Sequence, residues 1–157
     1  MDIDIVWRKP IMLRETKHSY DYECSSDDLD GCGVYFFARK FGETVTPLYV
    51  GQTTQQTIRA RLKQHLNTVD FVSRLKEAIN GSIIFVYGIL KPVRGMQISK
   101  ALVVAERALI QEALVENEEM FNKRGAREPV HTVTLFGNKI AKKAINRRVL
   151  TVKKTKS

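Results

Sequence analysis

The pattern of apolar positions predicts strands in the first half of the chain. Aromatic and β-branched residues predict strands at 34–38 and 48–50. Gly42 and Pro47 lie between them and permit a hairpin with a long loop. A later apolar run, 82–90, predicts a buried strand.

Helical spacing of apolar residues predicts helices around that buried strand. A helix over 55–66 carries an apolar stripe at every fourth position: Ile58, Leu62 and Leu66. A short amphipathic helix over 71–79 follows, and Ser99 is a suitable N-cap for a long helix that reaches about Glu116. The order β-β-α-α-β-α predicts an α+β fold, in which helices flank a small antiparallel sheet of about three strands.

Length and composition are those of one compact domain. The chain has 157 residues, of which 43% are hydrophobic. No stretch approaches the roughly 18 consecutive apolar residues that a membrane span needs, so we expect a cytoplasmic protein without a membrane partner. Cys24 and Cys32 are too few for a structural zinc site, and we expect free thiols.

Charge is distributed unevenly along the chain. The formal net charge is +9, which favours polyanionic partners such as nucleic acid. Residues 1–30 are net acidic, whereas 137–157 carry eight bases and no acid. After a predicted strand at 130–136, a predicted basic helix over 138–148 holds the candidate DNA-backbone contacts: Lys139, Lys142, Lys143, Arg147 and Arg148. A disordered, solubilising tail is the alternative interpretation.

Glu106 lies on the apolar side of the predicted long helix. On a helical wheel it falls within the apolar arc that extends from Leu109 to Leu114. An unpaired buried carboxylate costs several kcal/mol, so this side chain needs a cation, a basic partner or a water-filled cleft. A core salt bridge to an arginine and a functional role both remain open.

Short motifs follow one another along the central part of the chain. Gly33-Val34-Tyr35 and Tyr49-Val50-Gly51 lie on the predicted hairpin, and they precede Arg61 and His65, then Glu106 and finally Asn122. In this order the five elements resemble the signatures of the GIY-YIG nuclease superfamily. The resemblance divides the chain into an acidic N-terminal extension (1–30), a GIY-YIG-like nuclease domain (31–123) and a basic C-terminal extension (124–157).

The resemblance implies a DNA endonuclease that hydrolyses phosphodiester bonds and leaves a 5′ phosphate. Arg61 would neutralise charge on the phosphoryl oxygens, while His65 would hold the phosphate or assist proton transfer. Their four-residue spacing places both on one helix face, although a solvated face would show the same spacing. Glu106 would bind Mg²⁺, with Mn²⁺ as the alternative, and Asn122 would be a supporting polar residue.

The two tyrosines have divided roles in this hypothesis. Tyr35 would activate the attacking water and Tyr49 would position the phosphate or its water. A phenol has a pKa of about 10, so nearby cations would have to favour the phenolate. The alternative is that both rings simply pack in the sheet.

Two positions depart from the pattern that the family shows. Residue 52 is glutamine where some members carry a lysine that can serve the nucleophilic water, which favours tyrosine as the base. The segment 52–57 is slightly longer than in many members, so Arg59 is an alternative to Arg61.

The biological setting stays open at this point. Restriction or phage-associated cleavage, DNA repair of branched substrates and a mobile element are all compatible with the sequence. A homodimer would allow both strands to be cut. The competing class is a non-catalytic nucleic-acid-binding protein that retains the fold, while a ribosome-associated basic protein explains the charge but not the ordered motifs.

Overall fold

The computed structural model of the protein describes residues 2–77, 80–122, 131–145 and 149–152. The strands are β1 (Asp2–Trp7), β2 (Ile11–Met12), β3 (Arg14–Glu15), β4 (Tyr20–Asp21), β5 (Gly33–Phe41), β6 (Thr44–Gln52), β7 (Ser82–Lys91), β8 (His131–Phe136) and β9 (Val149–Val152). The helices are α1 (Ile58–Leu66), α2 (Val69–Lys76), α3 (Ile98–Glu116) and α4 (Lys139–Ala144), and a short 3₁₀ helix spans Asp27–Asp30.

The fold is mixed α+β, but its sheet is larger than the predicted sheet of about three strands. Six strands lie in the order β6-β5-β7-β1-β8-β9, and β2 also pairs with β7. The predicted hairpin strands and the predicted buried strand correspond to β6-β5-β7, and the strand predicted at 130–136 corresponds to β8. The remaining strands come from the two ends of the chain, and β1 pairs parallel to β8, so the sheet is not wholly antiparallel.

The sequence of β1 has the alternation of a strand, although it begins with acidic residues. The segment Asp2–Trp7 alternates polar and apolar residues, and Ile3, Ile5 and Trp7 are all buried. A strand with one buried face requires this period of two. The acidic residues Asp2 and Asp4 therefore occupy the other face of a strand that lies inside the sheet.

The β5–β6 hairpin is longer and its turn is tighter than the sequence suggested. Strand pairing continues from Val34 opposite Gln52 to Phe41 opposite Thr44. Gly42 adopts a positive φ of 58° in the short turn, a conformation that costs glycine little. Pro47 lies in β6 beside a register shift, where a strand tolerates a residue without an N–H group.

The helices cover both faces of the sheet. Val34, Phe36 and Ala38 of β5 pack in the cluster that includes α3, whereas Tyr35 and Phe37 point to the opposite cluster with α1 and α2. This alternation follows from the two-residue period of a strand. The sheet is therefore buried on both sides in its β5–β7 region.

The helix bounds differ at several ends from those predicted. Helix α1 begins at Ile58 rather than at residue 55, because the Thr57 side chain accepts a hydrogen bond from the Ala60 N–H and caps it. Gln97, not Ser99, is the N-cap of α3. Helix α4 ends at Ala144, and the predicted continuation at 146–148 lies outside the described residues. No helix in the described ranges has the length and apolarity of a membrane span.

Candidate active site

Four predicted site residues meet on the face of the sheet covered by α1. The Tyr35 hydroxyl lies 2.7 Å from His65 Nε2, and Arg61 Nε donates to the same hydroxyl oxygen at 3.2 Å. The Tyr49 ring lies 5.0 Å from the His65 ring and stacks on Tyr35 at 6.3 Å. Two strands and one helix thus bring these side chains into one cluster.

Helix α1 is held in place by its apolar stripe. Ile58 and Leu62 are fully buried and Leu66 nearly so. Arg61 and His65 are four residues apart and therefore project together from the helix. Because the stripe fixes the rotation of the helix, both polar side chains face the tyrosines.

Gly51 is required by the position of Tyr35. The two residues are opposite each other in the hairpin, and the Tyr35 side chain crosses the face of Gly51. A Cβ atom at residue 51 would lie 2.4 Å from the Tyr35 hydroxyl oxygen. The glycine of the second tripeptide therefore has a steric reason: it makes room for the hydroxyl of the first.

Both Tyr35 and His65 are uncharged at neutral pH. Burial, assisted by the neighbouring Tyr49, raises the pKa of Tyr35 above its usual value, and Arg61 opposes that rise only in part. Burial and then the charge of Arg61 lower the pKa of His65 to about 4. Arg61 can only donate to the Tyr35 oxygen, and in the His65 tautomer that carries its proton on Nδ1 the Nε2 atom accepts the Tyr35 hydroxyl proton.

Accessibility separates the two tyrosines. Tyr35 has no exposed surface, whereas Tyr49 is half-buried. A ligand that enters from solvent therefore contacts Tyr49 before Tyr35. In the conformation described, Arg61 occupies one acceptor position of the Tyr35 hydroxyl.

Glu106 is half-buried on α3 and lies within electrostatic range of the cluster. Burial raises the pKa of its carboxyl group, while Arg107 and Arg61 partly offset that effect. Its charge in turn acts on Tyr35. The side chain forms no hydrogen bond or ion pair with another described residue, so the core salt bridge, one of the two alternatives, is not observed within the described residues.

One carboxylate is compatible with a magnesium site in which water supplies most ligands. Within the described ranges, no group of three or more His, Cys, Asp and Glu residues could enclose a metal ion. Mg²⁺ often binds through one or two carboxylates, with water and substrate phosphate completing its octahedron. The partly desolvated Glu106 carboxylate fits that type of site.

Asn122 binds the backbone of β6. Its side-chain oxygen accepts from the Val50 N–H at 3.2 Å, and its amide nitrogen donates to the Val50 carbonyl at 2.6 Å. The Phe121 N–H donates to the Leu48 carbonyl, and the Asn117 side chain donates to the Pro47 carbonyl. Asn122 thus supports the segment that carries Tyr49 and Gly51.

Arg61 has no carboxylate partner within the described residues. Its guanidinium group binds Tyr35 and, through Nη1, the Gln64 side-chain oxygen at 3.0 Å. It lines a cleft of about 400 Å³ together with the uncharged residues Gln52, Thr53, Thr54, Gln55 and Gln56. The Gln52 side-chain oxygen is buried without a hydrogen-bond partner among these residues. The cleft therefore offers a ligand several polar groups and a cation that no described carboxylate contacts directly, while the charge of Glu106 acts on that cation at longer range.

Arg59, the alternative to Arg61, points elsewhere. Its guanidinium group forms an ion pair with Asp30 at 2.9 Å and donates to the Ser26 carbonyl at 3.0 Å. The structure brings Arg61, and not Arg59, to the tyrosines.

The predicted basic surface is partly described. Lys139, Lys142 and Lys143 are exposed on α4, which packs near β6, and Lys143 forms an ion pair with Glu43 at the hairpin turn. Glu43 and Gly51 are eight residues apart, and an extended strand of that length spans about 25 Å. The turn with this ion pair therefore lies at the far end of the hairpin from the tyrosine cluster. Arg147 and Arg148 lie outside the described residues.

Cys24 and Cys32 are free thiols, as predicted.

Gln64 is the contact that the sequence interpretation missed. It lies three residues after Arg61, a spacing at which helical side chains meet, and this relation was visible in the sequence.

No protein-family model, curated protein or solved structure shows significant similarity to this chain, so the arrangement stands on its own geometry.

Proposed function

We propose that this protein is a metal-dependent DNA endonuclease of the GIY-YIG type. The observation that carries the proposal is the Arg61 guanidinium, which no described carboxylate contacts and which lies beside two tyrosine hydroxyls and a buried histidine at the edge of a polar cleft. An arginine so placed suits a phosphate, which its planar donors can bind in two positions. The surplus of positive charge over the chain favours DNA as the source of that phosphate.

In this proposal Arg61 and Tyr49 bind the scissile phosphate. Arg61 turns from Tyr35 towards the phosphate oxygens and neutralises the charge that grows on them in the transition state. That movement frees the acceptor position on the Tyr35 hydroxyl that Arg61 now occupies. The attacking water can then donate its hydrogen bond to Tyr35.

Tyr35 and His65 form the proton path. As the water attacks phosphorus, its proton passes to the Tyr35 oxygen, and the original hydroxyl proton of Tyr35 passes to His65 Nε2. The bond from phosphorus to the 3′ oxygen breaks, the 3′ oxygen takes a proton from a solvent water to become a hydroxyl, and the other product keeps the 5′ phosphate. The lowered pKa of His65 makes it a weak acceptor in the free protein, so the negative phosphate is required to favour its protonated form.

Glu106 would hold the metal ion. When bound there, Mg²⁺ or Mn²⁺ would supply positive charge to the phosphate and to the departing 3′ oxygen. The chain's own contribution is a carboxylate that is already partly desolvated and that Arg61 does not neutralise by direct contact. Asn122 maintains the strand position of Tyr49 relative to that carboxylate.

The test is cleavage of supercoiled plasmid and of a panel of branched DNA with Mg²⁺ or Mn²⁺. Wild type is compared with Glu106→Gln, which removes the charge and keeps the size. Glu118→Gln makes the same change at an exposed position and serves as the control. Metal-dependent cleavage by wild type and the control, lost in Glu106→Gln at equal DNA binding, would support the proposal. Salt-sensitive binding without cleavage by wild type on every substrate would favour the non-catalytic binding protein instead.

A further inference from the structure

Gln64 binds the guanidinium group of Arg61 through a different nitrogen from the one that binds Tyr35. Its side-chain oxygen accepts from Arg61 Nη1 at 3.0 Å and from Gln56 Nε2 at 3.3 Å. Gln56 itself lines the polar cleft, so the amide oxygen is fixed between the helix and the cleft wall. Arg61 is thus held at two points, by Tyr35 at Nε and by Gln64 at Nη1.

The chemical type of this partner matters. A carboxylate at the same place would hold the guanidinium group by the same geometry and would also neutralise it. An amide oxygen orients the donors but carries no net charge, so the attraction of Arg61 for an anion is retained. The other side chains that line the cleft are uncharged as well.

We propose that Gln64 is a positioning residue for phosphate binding, because its amide oxygen orients Arg61 while leaving the positive charge of Arg61 available to one phosphodiester group. This inference rests on the proposed function for the identity of the anion. It adds that Gln64, a residue outside the predicted site, orients Arg61 without neutralising its positive charge.

Two variants distinguish these tasks. Gln64→Glu keeps a hydrogen-bond acceptor and adds a charge, so we expect KM for DNA and the dissociation constant for inorganic phosphate to rise about tenfold or more. Gln64→Ala removes the acceptor and leaves the charge of Arg61 free, so we expect kcat to fall up to about tenfold, with phosphate affinity within about threefold of wild type. A side chain with a merely structural role would not divide KM from kcat in this way.

The matched control is Gln97→Glu. Gln97 undergoes the same chemical change, is exposed at the N-cap of α3 and lines a different cleft from Arg61. We expect phosphate affinity and KM within about threefold of wild type, because a charge added at an exposed position outside the Arg61 cleft is screened by solvent and salt. Thermal unfolding of each variant shows whether the fold is retained.

Two readouts keep the inference separate from the nuclease proposal. The NMR signal of Arg61 Nε–H during titration with inorganic phosphate reports anion binding without any cleavage, while plasmid nicking with Mg²⁺ reports kcat and KM. Wild-type cleavage together with equal effects of Gln64→Glu and Gln97→Glu would overturn the inference alone. Absence of cleavage by wild type would overturn the nuclease proposal, and the phosphate titration would still decide the role of Gln64.

Discussion

The two faces of the sheet bury side chains of different kinds. The face under α3 is apolar in the β5–β7 region, with Val34, Phe36, Ile84 and Val86 packed against the helix. The opposite face has comparable burial but encloses the Tyr35 hydroxyl and the His65 imidazole within an aromatic cluster. Buried polar groups stabilise a fold poorly unless they are fully bonded. The face under α3 therefore holds the larger apolar core, and the candidate chemistry lies on the opposite face.

The largest expected effect is a loss of stability on the α3 face. Ile5 is fully buried in the apolar cluster and lies on β1, away from the tyrosines. Ile5→Ala should lower the free energy of unfolding by about 2–5 kcal/mol, through lost burial and the cavity left behind. Urea denaturation at pH 7 measures this loss. Cleavage per folded molecule should stay at the wild-type level, and a loss of rate as large as that of the site variants would contradict the division between the faces.

Replacement of Arg61 should affect activity rather than stability. Arg61→Gln is expected to lower kcat/KM for DNA cleavage about 10²–10³-fold, since a charged donor to the transition state is lost. Arg59→Gln is the matched control on the same helix, and it should change kcat/KM less than threefold because Arg59 binds Asp30 instead of the tyrosines. Equal losses in the two variants would show that Arg61 has no special place in the site.

The buried histidine should make the α1 face sensitive to acid. The pKa of His65 in the folded protein is about 4, below the ordinary value of 6.5, so the unfolded chain binds more protons between these values. Stability is therefore complete above pH 6.5 and falls as pH drops towards 4, by about 2 kcal/mol between pH 7 and pH 5. Chemical denaturation at both pH values measures the fall. It should be smaller in His65→Gln and unchanged in His18→Gln, which alters an exposed histidine.

The smallest expected effect concerns the amide that binds β6. Asn122→Ala removes both hydrogen bonds to Val50 and should lower the free energy of unfolding by about 1 kcal/mol. It should also lower kcat severalfold, because Val50 lies between Tyr49 and Gly51. Asn117→Ala removes a similar bond to Pro47 and serves as the comparison. If Asn117→Ala lowered kcat as much as Asn122→Ala, the hydrogen bonds of Asn122 beside Tyr49 would have no particular importance for catalysis.

The grouping of the site residues followed from local rules. A four-residue spacing on a helix brings Arg61 and His65 to one side, and alternation along a strand sends Tyr35 to one face. Tyr35, Tyr49, Arg61 and His65 are in contact, a grouping that the family resemblance implied and that these rules explain only for each element. The roles assigned to them remain proposals.

Features set by long-range pairing could not be obtained in this way. The parallel pairing of β1 with β8 joins residues about 130 positions apart, and nothing local in Asp2–Trp7 specifies its partner. The alternation of Ile3, Ile5 and Trp7 is typical of a strand, but the interleaved acidic residues are equally typical of an exposed extension. Pro47 and Gly42 suggested a long loop, whereas a register shift and a tight turn accommodate them within the hairpin.

The segment that follows α3 has a consequence for assembly. Strand β6 ends the sheet on one side, where unbonded N–H and carbonyl groups would recruit a strand from another molecule. Asn117, Phe121 and Asn122 already bond the groups of Pro47, Leu48 and Val50 on that side. Residues 47–50 of this border are therefore closed to sheet extension by a second copy. If two copies join to cut both strands of a duplex, they meet away from this segment, and each keeps its own tyrosine hairpin intact.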